Sequence, residues 1–193
     1  MSVEDWRTYS CSLGDFDLEF DIDMDESVYG FRVFAGKHPE NFAYVAGSIW
    51  VRQKHSRYLV REFNTANLVL WMQDLASKLE VPPAISPDVL ASVGFHVCRW
   101  FTDYWDRVDR DTASVADEET YDSLSSYCLV SEGAGCIAVF AADGGSIVQV
   151  CSKQSKVVNP LCFEARPASA VASALRKLSA EVAQEVRRRS TQH

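Results

Sequence analysis

Between residues 15 and 25 the chain alternates without a break. Asp15, Asp17, Glu19, Asp21, Asp23 and Asp25 take the odd positions, and Phe16, Leu18, Phe20, Ile22 and Met24 the even ones. Successive side chains of a strand point to opposite faces, so the pattern predicts a strand from Gly14 to Asp25 with one apolar and one anionic face. After a turn at Glu26-Ser27, Val28 to Ala35 alternates through Tyr29, Phe31 and Val33 and reads as a second strand, closed by the turn former Gly36-Lys37-His38-Pro39. Phe42 to Val51 gives a third strand and Arg57 to Phe63 a short fourth. Four strands joined by short turns predict an acidic antiparallel meander over residues 1–63.

The period then changes. Leu68, Trp71, Met72, Leu75 and Leu79 fall on one helical stripe, predicting a helix from Ala66 to Leu79, capped by Asn64 or Thr65 and stopped by Pro82-Pro83. Ser86-Pro87-Asp88 combines a capping serine, a first-turn proline and an early acid, and starts a second helix running to about Val108. These make a helical pair over 66–108. The polar segment 111–122 reads as a loop. A second strand set over 124–165 holds Ser125 to Val130, a hairpin of Cys136 to Ala142 with Ser146 to Ser152 around Asp143-Gly144-Gly145, and Leu161 to Ala165. Ile137, Val139, Val148 and Val150 make one face of that hairpin apolar, and Ala138, Phe140 and Ile147 the other, as in strands covered on both sides. Pro167 opens a C-terminal helix over 167–189, with Val171, Leu175, Leu178, Val182 and Val186 at helical spacing and Arg187-Arg188-Arg189 at its end. The order predicts a single α+β domain over 1–193: an antiparallel sheet of about six or seven strands, with two central helices and a C-terminal helix packed on it.

Composition adds little to the fold and more to the charge. Of 193 residues 47% are hydrophobic, enough for one sizeable core. No apolar run approaches the roughly 20 residues of a membrane span. The start, Met1 to Trp6, lacks the basic-then-apolar order of a signal peptide, so the cytoplasm is the expected location. The net charge of −8 is local: residues 1–27 hold nine acids against Arg7, and the remainder is balanced, 18 against 18. Such asymmetry points to an oriented field. The six cysteines include no CxxC pair and no closely spaced histidine, so no structural zinc, and no other cofactor, is expected. Buried, reduced thiols are the expectation, with Cys136 opposite Cys151 if Asp143-Gly144 turns the hairpin.

The acidic strand is either a solvated edge that resists edge-to-edge pairing or a surface for a basic partner. Like charges about 6–7 Å apart along one face repel, and a Debye length of about 8 Å screens that only in part. A cationic partner relieves it. Asp21-x-Asp23-x-Asp25 opens like a calcium loop, but Glu26 stands where glycine is needed and Arg32 where the closing glutamate belongs. Along Arg99 to Arg107, Trp100 with Tyr104 and Phe101 with Trp105 stack at i, i+4; packing on the sheet explains most of this arc and leaves Trp105 or Tyr104 as a candidate exposed anchor, with Trp105 the choice. No catalytic signature is present, and the four histidines form no set. A pocket gathering Cys98 with His96 or His38 would mark a small enzyme instead. Nucleic acid is not expected as a ligand, because the basic cluster is confined to Arg187 to Arg189.

The acidic meander, then Gly47-Ser48-Ile49-Trp50-Val51, a short strand and the helix to Leu79, resembles the strand–strand–helix layout of immunity proteins that accompany bacterial polymorphic and contact-dependent toxins. The resemblance is one of layout, over about the first 80 residues, and carries no family residue with it. It implies a non-enzymatic inhibitor whose carboxylates stand where phosphates would lie on a basic toxin, which in many such systems is a nuclease. The expectation is therefore a protein that binds a basic protein partner through Asp15, Asp17, Glu19, Asp21, Asp23, Asp25 and Trp105. The rivals are a structural or adaptor protein with a merely soluble edge, and the small enzyme. Within the inhibitor reading, the threat is that Arg187 to Arg189 fold back over the acids.

Overall fold

The computed structural model of the chain describes residues 5–35, 45–63, 68–130, 135–142, 145–152 and 160–191. The elements run β1 (Trp6–Ser12), β2 (Asp17–Asp23), α1 (Met24–Ala35), β3 (Ala46–Gln53), β4 (Ser56–Phe63), α2 (Leu68–Glu80), α3 (Pro87–Ser92), α4 (Val97–Asp109), α5 (Val115–Ser125), β5 (Cys128–Val130), β6 (Gly135–Ala142), β7 (Gly145–Ser152), β8 (Leu161–Ala165) and α6 (Ala170–Ser190). The class is α+β. Its strands divide between two antiparallel four-stranded sheets, ordered β1-β2-β3-β4 and β5-β6-β7-β8, where a single sheet was expected.

Alternation in β2 does what the sequence says. Leu18, Phe20 and Ile22 are fully buried, and they join Ile49 and Val51 of β3, Leu68, Met72 and Leu75 of α2, and Val171, Leu175 and Val186 of α6 in one core. Burying each such side chain stabilises the fold by roughly 1.5–3 kcal/mol. One face of the second sheet enters the same core through Ile137, Val139, Val148 and Val150. Its other face, with Cys136, Ala138, Phe140, Ile147 and Cys151, packs under Val97, Cys98 and Phe101 of α4 and Leu124 of α5. The β6–β7 hairpin is thus covered on both sides. The sheets meet where Ser152 Oγ donates to the Leu59 carbonyl.

Several elements depart from the sequence reading. Val28 to Ala35, expected as a strand, belongs to α1: Met24 and Ser27 are buried, Val28 and Phe31 half-buried, at helical spacing, while Tyr29 and Val33 are exposed. Asp23 caps this helix, its Oδ1 accepting from the Glu26 amide at 2.9 Å, and Asp25 and Glu26 occupy the first turn where the dipole favours acids. Residues 111–122, expected as a loop, contain most of α5, whose capping box joins Ser114 and Asp117. The expected continuous helix from Pro87 to about Val108 breaks in two at Gly94 and Phe95, both at positive φ (62° and 63°), before His96 caps α4. The turns expected at Gly36 to Pro39 and at Asp143-Gly144 lie outside the described residues, as do His38 and the cap at Asn64 or Thr65.

Candidate functional site

β2 is no edge. β1, a strand the sequence reading lacked, pairs with it on one side and β3 on the other, with Thr8 and Ser48 opposite Asp21 and Arg52 opposite Asp17. Asp15 falls in the loop before the strand and Asp25 in α1, both exposed, so neither shares the anionic face. The three acids in the middle are matched within the chain. Arg52 reaches Asp17 through Nη2 at 2.8 Å and Glu19 through Nε at 2.7 Å. Arg57 of β4 reaches Glu19 through Nε at 2.6 Å and Asp21 through Nη2 at 2.8 Å. Its guanidinium also lies over the Trp50 ring, 4.5 Å from the centroid, and Thr8 Oγ1 donates to Asp21 at 2.6 Å. Burial would raise the Asp21 carboxyl, but Arg57 and Thr8 outweigh it and hold the group below its ordinary value. The expected bare ribbon of charge is corrected to an internal network: register sets Arg52 of β3 opposite Asp17 and Arg57 of β4 beside Arg52, and the two guanidiniums reach three carboxylates. The C-terminal arginines go elsewhere, Arg189 pairing with Asp5 and Glu185, and Arg188 with Glu185.

Asp23 is the exception among the four acids on this face. Beyond the reach of the two arginines, Trp6, Asp23, Glu26, Ala46, Gly47, Ser48 and Glu62 line a hollow of about 340 Å³. Three of these residues carry carboxylates, and among the described residues lining it none is a lysine or arginine. Gly47 forms part of the floor because the strands close in there: a Cβ at this position would overlap the Asp21 carbonyl oxygen. Trp6, 47% exposed, adds an aromatic wall. Carboxylates beside an indole suit a cation, which gains charge-assisted hydrogen bonds from the first and a ring quadrupole from the second. Asp23-x-x-Glu26 is a capping signature that the strand-and-turn reading of this stretch passes over; Glu62 and Trp6 arrive only through strand pairing.

Trp105 is not an exposed anchor. It is half-buried between α4 and α5, its ring centroid 5.5 Å from Tyr104 and 5.9 Å from Tyr121, both edge-on. Its Nε1 is sealed without a hydrogen-bond partner. Arg107 fastens the same corner, bonded to Asp117 at 2.8 Å.

Three of the free thiols, Cys98 on α4 and Cys128 and Cys136 on the second sheet, gather where α4 covers that sheet, while Cys11 lies in the other core. Cys98 Sγ donates to the Gln149 carbonyl at 2.9 Å, and Cys128 and Cys136 lie 3.9 Å apart. Burial pushes all three thiols up, so none is a ready nucleophile. Cys136 does stand opposite Cys151, but the disulfide joins Cys151 to Cys162 of β8. His96 accepts from the Arg99 amide through Nδ1 at 3.4 Å, and burial lowers its pKa against the opposing pull of Glu164. Cys98 bonds to backbone, and no Cys98–His96 pair of the kind an acyl-transfer enzyme uses is formed. Among the described residues no helix is long and apolar enough to cross a membrane. Comparison with protein-family models, with curated proteins and with solved structures finds no match.

Proposed function

We propose that the protein is a non-enzymatic, stoichiometric binder of a basic protein, of the immunity-inhibitor type, which takes a lysine or arginine side chain of its partner into the hollow of Trp6, Asp23, Glu26 and Glu62. The observation that carries the reading is the uneven use of the acids on one sheet face. Arg52 and Arg57 pair with Asp17, Glu19 and Asp21, while the Asp23 end opens onto a cavity whose lining carries three carboxylates and an indole. A guanidinium entering there finds planar acceptors and a ring face together. The net charge of −8 on the chain as a whole supplies the long-range attraction for a cationic partner, and the carboxylates at the Asp23 end supply its local direction.

The test begins with capture of partners from native cell extract by the full chain, followed by association kinetics of the purified pair. The reading expects a basic protein that loses its activity when bound. Its association should slow with added salt and slow further in the Glu26→Lys, Glu62→Lys double variant, which spares the helix cap at Asp23. A partner without net positive charge, or an association rate indifferent to salt and to both reversals, overturns it.

A further inference from the structure

We propose that His96, Cys151 and Cys162 form a metal site for a thiophilic divalent cation of the zinc class, closed when the two cysteines are joined and opened by their reduction. Cys151 and Cys162 are register partners on β7 and β8, so both sulfurs stand on the face covered by α4. His96, the residue that starts α4, brings its imidazole to the same spot, and the three ligand atoms lie within 4.8 Å of one another. Zinc held at about 2.3 Å by sulfur and about 2.0 Å by nitrogen places neighbouring ligands of a tetrahedron roughly 3.5–3.8 Å apart. Breaking the sulfur–sulfur bond frees the two sulfurs to separate to that edge length, and the imidazole needs to close by about an ångström to complete it.

The surroundings favour a site over a plain cross-link. Cys151 is fully buried and Cys162 half-buried, so a reductant has one sulfur to attack and the metal is shielded on its other side. Glu164, two residues along β8 on the same face, is held by Gln149 Nε2 at 2.7 Å. It is near enough to His96 to act on its charge, which leaves the fourth position open to that carboxylate or to water. Gln149 is itself fixed, its Nε2 also donating to the Phe95 carbonyl at 3.1 Å. Its Oε1 is buried with no donor, an unspent acceptor two residues from Cys151. Supporting hydrogen bonds of this kind orient metal ligands.

The opening step balances with a dithiol as co-reactant. The dithiol gives two electrons and two protons, the Cys151–Cys162 bond breaks to two thiols, and the dithiol leaves as its own disulfide. The cation then displaces both thiol protons to solvent and binds two thiolates. The spacing in the chain, 55 residues from His96 to Cys151 and 11 from Cys151 to Cys162, matches no zinc-finger pattern, so only the fold assembles the set.

Cobalt(II) is a suitable probe, added to the full chain after reduction by a dithiol and removal of excess reagent. The reduced protein should take up one cobalt ion with thiolate-to-metal charge-transfer absorption in the near ultraviolet, and the oxidised protein none. Cys162→Ser should abolish or halve that absorption. His96→Asn, whose amide oxygen can take over from Nδ1 as the acceptor that caps α4, should weaken cobalt binding at least about tenfold with the helix content unchanged by circular dichroism. Absence of the absorption in the reduced protein overturns the proposal. So does its full retention in Cys162→Ser, which would assign the metal to Cys98, Cys128 and Cys136, and so does cobalt affinity unaltered by His96→Asn. The hollow on the first sheet shares no residue with this site, so its failure and that of the metal site are read independently.

Discussion

Arg57 Nε lies 2.6 Å from Glu19 Oε2, and this contact makes a nearly buried glutamate tolerable in the middle of a sheet. Glu19 is 7% exposed, and an unmatched carboxylate so placed is costly. Arg57→Ala leaves Arg52 as the remaining guanidinium partner of Glu19 and leaves Asp21 with Thr8 alone of the two groups that hold its charge. The expected loss is about 1–2 kcal/mol, below that of a fully buried pair because Arg57 is one-third exposed to screening solvent. Arg57→Lys keeps the charge but cannot bridge Glu19 and Asp21 with a planar fork, and should fall between the two. Urea midpoints at constant slope measure both. A midpoint unchanged in Arg57→Ala would mean that Arg52 alone satisfies the network.

Gly47 faces a harder constraint. The atom its Cβ would strike is the Asp21 carbonyl oxygen, part of the neighbouring strand's backbone, which cannot rotate out of the way as a side chain can. Gly47→Ala should therefore destabilise the protein by about 3 kcal/mol, at the upper end for a single added carbon, and should distort the hollow above it. Thermal or urea unfolding reads the first effect. The exposed Gly94, with open space around it but φ at 62°, should cost only about 1 kcal/mol on the same change, since strain and not overlap opposes it.

Legibility followed the strength of the periodic signal. The strict alternation of residues 16–22 fixed which side of β2 is buried, and the two apolar faces of β6 and β7 announced a hairpin enclosed on both sides. Leu68 to Leu79 and Val171 to Val186 carried enough spaced apolar residues to mark α2 and α6. α5 has one fully buried residue, Leu124, so no stripe existed to find, and only the Ser114–Asp117 box signalled a start. α1 was misread because Tyr29, Phe31 and Val33 alternate by chance; the capping pair Asp23 and Glu26 was the better guide. β1 is mostly exposed, with Cys11 its one buried residue, and its absence from the reading made β2 look like an edge. The pairing of the acids depends on which strand lies beside which, and a one-residue change of register would have turned Arg52 away.

At the far end of α6, Glu185 lies between Arg188 and Arg189, whose guanidinium bonds at 2.8 Å draw its carboxyl from the ordinary 4.5 down to about 2. A group depressed on folding contributes stability that is complete above its unfolded value and is lost as pH falls through its folded one. Wild type should therefore exceed Glu185→Gln in stability by a constant margin at neutral pH. That margin should shrink between pH 4.5 and about 2. Urea titrations of both proteins at stepped pH give the difference; a margin that grows on acidification would refute the assignment of the shift to these arginines.

Trp105 separates packing from recognition. Its ring fills the corner made by Tyr104 and Tyr121, while its Nε1 has no acceptor, so the indole supplies area and leaves a desolvated donor unsatisfied. Phenylalanine keeps much of the ring and removes that donor. Loss of a buried, unpaired N–H is worth about 1 kcal/mol or more in favour of the variant, against a similar loss from the smaller ring. Trp105→Phe should thus be within about 1 kcal/mol of wild type, whereas Trp105→Ala, which opens a cavity beside Tyr121, should cost about 2–3 kcal/mol for a half-buried ring. Neither should alter association with a basic partner at the hollow on the first sheet. A partner whose dissociation quickens sharply in Trp105→Phe, with the urea midpoint unchanged, would return this residue to the interface and move the binding surface to α4 and α5.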